Sequence, residues 1–185
     1  MNNVGSTRVY LIGDRGLIFD YDDAFKIFSS GFFGKPIGIS KPKLEPFNRP
    51  LELSLFEILY LSEKGIVEVL DSNDKVLTKE AIIKHARCVY RDFDNKFLVY
   101  KDLRDKGFVV RPGLKFGADF AVYRYGPGID HAPFLVTVYS SDVKLLGIDL
   151  VRAGRLATSV RKRFVIATVK GEKVIRYFVL EWFRP

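Results

Sequence analysis

The chain has 185 residues, 48% of them hydrophobic and 28% charged, and a formal net charge of +8. That length spans one domain or two small ones, and the composition is that of a packed globular protein, which excludes disordered and fibrous classes. A single cysteine, Cys88, excludes an internal disulfide, two histidines exclude an all-protein zinc cluster, and no apolar run reaches the roughly 18 residues of a membrane span.

The first residues, Met1-Asn2-Asn3-Val4-Gly5, lack the charged and apolar regions of a secretory leader, so a cytoplasmic protein is expected. Val9 to Ile12 and Gly16 to Asp20 read as short strands, and Tyr21 to Ser29 as a helix closed by Gly31-Phe32-Phe33-Gly34. Leu51 to Lys64 carries apolar residues at helical spacing up to a stop at Gly65, and Ile66 to Leu70 is the next strand. Thr78 is placed to cap a helical region running from Lys79 to Lys106, with a break near Asp92-Phe93-Asp94 and a stop at Gly107. A domain boundary is expected in this region, giving an N-terminal domain over 1–84 and a C-terminal domain over 85–185.

The second half opens with strand residues Phe108-Val109-Val110 and a turn marked by Gly113 and Gly117. The strand Phe120 to Tyr123 follows, then a Gly/Pro loop to His131 and the strand Phe134 to Tyr139. Asp149 to Arg161 is expected to be a helix with Leu150, Ala153, Leu156, Ala157 and Val160 on one side. Arg152, Arg155, Ser159 and Lys162 then fall within about 80° of each other, a basic stripe on a packed helix. Phe164 to Val169 and Val174 to Phe183 are strands joined by the hairpin signal Lys170-Gly171-Glu172-Lys173. The predicted fold is α/β of the α+β type, a small domain followed by one with a mixed sheet and flanking helices.

Charge is concentrated at the C-terminal end. Residues 151–185 hold nine Lys or Arg against Glu172 and Glu181, a local excess of +7. Such a field gathers polyanions, of which nucleic-acid backbones are the commonest in a cytoplasm. Several reaction classes lose support because their signatures are missing: dinucleotide and phosphate loops, the H-E-x-x-H zinc helix and the G-x-S-x-G elbow. His85 and Cys88 lie three apart on a predicted helix, but no orienting third group stands nearby, and a lone helical cysteine is usually a small buried hydrophobe.

Three other residues draw attention together rather than singly. A loop histidine such as His131 is more often a surface bystander, a strand tyrosine such as Tyr123 more often a packing residue, and Lys162 alone a solvated cation. Taken in order, however, Lys115-Phe116-Gly117-Ala118-Asp119-Phe120-Ala121-Val122-Tyr123, Gly126-Pro127, His131-Ala132 and Arg155-Leu156-Ala157-Thr158-Ser159-Val160-Arg161-Lys162 resemble the nuclease domain of the tRNA-intron endonuclease family. The likeness covers about residues 85 to 185, and the segment with Phe32-Phe33-Gly34-Lys35 and Leu51 to Val69 looks like the smaller domain that precedes it.

The resemblance implies Tyr123 as general base, His131 as general acid and Lys162 as the transition-state cation, with Arg155 and Arg176 gripping RNA. It implies cleavage of precursor tRNA at a bulge-helix-bulge, with no cofactor and no metal, leaving a 2′,3′-cyclic phosphate and a 5′-hydroxyl. A phenol titrates near 10, so Tyr123 is expected to need the positive field of Lys162 and its neighbours to lower that value. The family works as four-part assemblies. The loop that is often Asp-rich in the family reads Lys170-Gly171-Glu172-Lys173 here, which favours a heterotetramer with a noncatalytic chain over a homotetramer. The rival expectation is a noncatalytic RNA-binding or structural subunit of the same complex. A DNA-cutting relative would need clustered carboxylates, and Asp119 and Asp130 are too few.

Overall fold

A computed structural model describes residues 6–40, 42–159, 161–171 and 174–180. Glu172 and Lys173 of the expected hairpin, residues 181–183 of the last expected strand, and Val160 lie outside the described residues, as do the side chains of Arg152, Leu156 and Ala157. The chain divides into two compact units, Met1–Phe93 and Asp94–Pro185, and the boundary expected at 84/85 falls inside a helix of the first. Among the described residues no helix is long and apolar enough to cross a membrane.

The first unit is built on a five-stranded sheet of β1 (Thr7–Ile12), β2 (Arg15–Ile18), β3 (Lys35–Pro36), β4 (Leu51–Ser54) and β5 (Val67–Leu70), in the order β3-β4-β2-β1-β5. Only β1 and β5 run parallel. Three helices accompany it, α1 (Tyr21–Ser29), α2 (Leu55–Glu63) and α3 (Lys79–Val89). Gly16 is required where α2 meets β2, because a Cβ there would lie 2.6 Å from Ile58 Cδ1 and from Val9 Cγ1.

The helix expected from Leu51 starts four residues late. Leu51 and Leu53 alternate inward as a strand, and Ser54 then caps α2 in a reciprocal box with Glu57, whose carboxylate accepts from Ser54 N at 2.8 Å. The same buried carboxylate accepts from Gly34 N at 2.8 Å, which fastens the Phe32-Phe33-Gly34 turn. Thr78 caps α3 as expected, accepting from Ala81 N at 3.2 Å. Cys88 departs from expectation: it is exposed on α3, its thiol turned back to Lys84 O at 3.4 Å, while His85 bonds to Gly13 O at 2.6 Å.

The second unit contains α4 (Phe93–Asp105, from Asp94 onward), β6 (Val109–Pro112), a 3-10 turn (Leu114–Phe116), β7 (Phe120–Tyr123), β8 (Phe134–Ser140), α5 (Gly147–Ser159), β9 (Arg163–Lys170) and β10 (Val174–Leu180). Its sheet has the order β10-β9-β8-β7-β6 and is antiparallel except between β8 and β9. A parallel pair needs a crossover, and α5 supplies it. The mixed sheet with flanking helices is the architecture expected from sequence.

Strand alternation gives the sheet two faces, each covered by a helix. On one, the Tyr100 ring of α4 meets Phe120 at 5.8 Å, and Tyr177 donates to Asp102 Oδ2 at 2.6 Å. On the other, Ala121, Leu135, Phe164 and Ile166 form a buried cluster that Leu145, Leu150 and Ala153 cover from the α5 side. Tyr123 and Phe116 pack against this second cluster, so the helix that carries Arg155 and the strand that ends in Tyr123 share one core.

Candidate active site

Register places the three expected reacting residues around one end of the second sheet. Val122 of β7 pairs with Phe134 of β8, and Phe134 pairs with Arg163 of β9. Tyr123 is one residue beyond the first pair, while His131 and Lys162 precede the strands that begin at Phe134 and Arg163. Two bonds lock this end: Arg163 N donates to Pro133 O at 2.9 Å, and Lys162 Nζ donates to Ala132 O at 2.7 Å. Lys162 therefore anchors beside the residue that follows His131.

Lys162 reaches this place because it is not on the helix. The expected basic stripe continued α5 through Lys162, but α5 ends at Ser159 and Arg161 takes the left-handed conformation, φ 52°. That reversal turns the chain out of the helix and into β9. Arg155 stays on α5, exposed to solvent. Arg176 is exposed in β10 opposite Thr168, six residues along the register from Lys162, and so about 20 Å up the strand from the sheet end that holds Tyr123.

The loop between Tyr123 and His131 is organised by Asp130. Its carboxylate accepts from Gly126 N at 2.8 Å, Arg124 N at 3.0 Å and Tyr125 N at 3.4 Å. Gly126 and Gly128 take positive φ, 136° and 88°, which explains glycine at both positions. Asp119, the other carboxylate of this segment, accepts from Val138 N at 2.8 Å and pairs with Lys96 at 2.7 Å. Both acids are thus occupied in holding backbone. Asp130→Ala should accelerate amide exchange at Arg124, Tyr125 and Gly126. It should also slow any reaction that uses His131 by about 10²-fold, the penalty of a misplaced group.

The electrostatics differ from expectation at Tyr123. Burial pushes its phenol above the usual tyrosine value, Arg111 opposes that shift, and Asp130 adds to it. The relieving cation is Arg111 rather than Lys162, and it does not outweigh desolvation. Register accounts for Arg111: it pairs with Ala121, two residues from Tyr123, and so lies on the same face. Lys162 is shifted below the usual lysine value by burial and by repulsion from Lys115, with Asp130 opposing. Sequence reasoning missed Arg111 and the loop-holding role of Asp130, and period-2 alternation along β6 was the available signal for the first.

A model of the tRNA intron endonuclease catalytic C-terminal domain matches residues 93–177, and a model of that family's N-terminal domain matches residues 7–83. A tRNA-splicing endonuclease of Hyperthermus butylicus is 45% identical over 179 residues, covering 96% of this chain and 99% of that protein. The chain belongs to the tRNA intron endonuclease family. Tyr123, His131 and Lys162 all fall within the match to the family's catalytic domain. Proteins of the same name from Saccharolobus islandicus and Saccharolobus solfataricus are 44% and 41% identical, each match covering 96% of this chain and 98% of the relative. The family is one of RNA endonucleases, and the chain carries both of its domains in order.

Proposed function

We propose that this chain cuts introns from precursor tRNA at bulge-helix-bulge sites, using the substrate's own 2′-hydroxyl as nucleophile. The observation that carries the reading is the bond from Lys162 Nζ to Ala132 O, which ties a cation to the residue after His131 at the sheet end where Tyr123 emerges. In-line attack of a 2′-hydroxyl on its 3′-phosphate needs a base, an acid for the leaving 5′-oxygen and a cation for the phosphoryl charge. Tyr123, His131 and Lys162 have those three chemistries. The O2′–P bond forms as the P–O5′ bond breaks; the 2′ proton passes to Tyr123 and a proton from His131 goes to O5′. The products are a 2′,3′-cyclic phosphate and a 5′-hydroxyl, with no metal among the reacting groups.

Burial of Tyr123 makes its anion scarce near neutral pH but a strong base when formed, so the base works from a minor tyrosinate population. A bulge is recognised by shape and by bases drawn out of the stack, on which arginine planes can lie. Arg155 is assigned that role, with Arg176 as the second arginine. Arg155→Ala should weaken RNA binding by about 1 to 3 kcal/mol, the worth of one lost base stack. Unchanged affinity together with an unchanged rate would remove Arg155 from the RNA site.

The active form is an assembly with other endonuclease subunits, one of them noncatalytic. Among the described strands β10 is an edge, and Val174, Phe178 and Val179 on it are each about half exposed, surface suited to burial against another subunit. Bulge-helix-bulge RNA incubated in EDTA with the chain, alone and with candidate partner chains, tests the whole proposal. Cutting should persist and leave cyclic phosphate ends. Cutting abolished by chelator, or ends carrying a 5′-phosphate, would overturn it.

A further inference from the structure

Lys115 stands beside this site with no role yet assigned. It lies in the 3-10 turn Leu114–Phe116, which is built to a fixed shape. Phe116 N donates to Gly113 O at 2.8 Å and Gly117 N to Leu114 O at 3.0 Å, and Gly117 is left-handed with φ 61°. A Cβ on Gly113 would come within 2.8 Å of Ala118 O, so the turn is pressed against the chain that leads into β7.

The product of that geometry is an aromatic ring shared by two cations. Lys115 Nζ is 4.8 Å from the centroid of Phe116, and Lys162 Nζ is 5.6 Å from the same centroid. Phe116 is itself fixed by packing on the core cluster with Tyr123. Among the described residues neither ammonium forms an ion pair with a carboxylate. Lys162 bonds to a neutral carbonyl, and the Asp130 oxygens are engaged by backbone N–H groups. Burial lowers Lys162 most, and repulsion from Lys115 adds to the shift. A cation–π contact is weak at an exposed position and does not remove that repulsion, whereas a bound phosphate, being an anion, would offset it.

We propose that Lys115 is a second phosphate-binding cation of the active site, contacting the RNA backbone at or next to the bond that is cut. The proposal rests on the reading of the site as an RNA nuclease and deepens it: Lys162 takes the charge that develops at the scissile phosphorus, and Lys115 holds the backbone in register before reaction. Leu114, on the same turn, is 79% exposed, so a strand can approach this side without displacing packed residues.

The test measures binding of a bulge-helix-bulge RNA to the full chain, with its partner subunit if assembly requires one, across a series of salt concentrations. Each phosphate neutralised contributes about 0.7 to 0.9 to the slope of log K against log salt. Lys115→Met should lower the slope by about that amount and weaken binding by about tenfold at low salt, with the difference closing as salt rises. Lys115→Arg should restore the slope, because it restores a cation. A Lys115→Met protein with the wild-type slope, while wild type binds and cuts normally, would overturn the Lys115 assignment alone. Wild-type protein that neither binds nor cuts the RNA would overturn the functional reading beneath it.

Discussion

His131→Ala should slow single-turnover cleavage by about 10² to 10⁴-fold while RNA binding stays nearly unchanged, the signature of a lost general acid. His131 is exposed in its loop, so its removal opens no cavity. Replacing the leaving 5′-oxygen by sulfur removes the need for a proton. The His131→Ala protein should then recover most of its rate, whereas Lys162→Ala, which has lost charge stabilisation, should not. Equal slowness of His131→Ala on both substrates would mean that the histidine positions RNA and that the proton comes from elsewhere.

Tyr123→Phe should cost a comparable factor, about 10² to 10⁴-fold, because it deletes the base and keeps the ring that packs on the core. Its pH behaviour is the sharper readout. Burial holds Tyr123 above the usual tyrosine value, so the tyrosinate fraction grows about tenfold with each pH unit through the neutral range. In His131→Ala, where the acid has been removed, the rate should climb at that slope between about pH 6 and 8. Adding Tyr123→Phe should flatten the climb. A slope that survives the second substitution would assign the base to another group.

The legible parts of the fold were those with local chemical marks. Thr78 capping α3, Gly107 after α4 and the Gly113/Gly117 turn before β7 each fix backbone geometry through their own side chain or its absence, so sequence alone locates them. Leu51–Ser54 reads as helix from sequence because its apolar spacing suits either period. The decision came from pairing with β2 and β3 and from the Ser54–Glu57 box. Lys162 reads as a continuation of α5 because nothing in Ser159 to Arg161 announces the left-handed turn at Arg161 that delivers the lysine to Ala132.

At the site, resemblance named the three candidate reacting groups, but their surroundings are products of folding. The fields of Arg111 and Asp130 at Tyr123 and the sharing of the Phe116 ring by Lys115 and Lys162 depend on strand register and loop closure, which residue types do not reveal. Exposure of Cys88 belongs with these: a cysteine on an amphipathic helix turns inward or outward according to what the helix packs against.

The claim at the centre of this account is that the RNA supplies its own nucleophile. It is tested most directly by cleavage of a bulge-helix-bulge RNA carrying a single 2′-deoxy residue immediately 5′ to the scissile phosphate, beside the all-ribose RNA at equal occupancy. The account predicts full cutting of the ribose substrate to a cyclic phosphate and no cutting at the deoxy position, with binding unimpaired. Cutting of the deoxy substrate at the normal rate would contradict it, since the attacking oxygen would then have to come from water or from the protein.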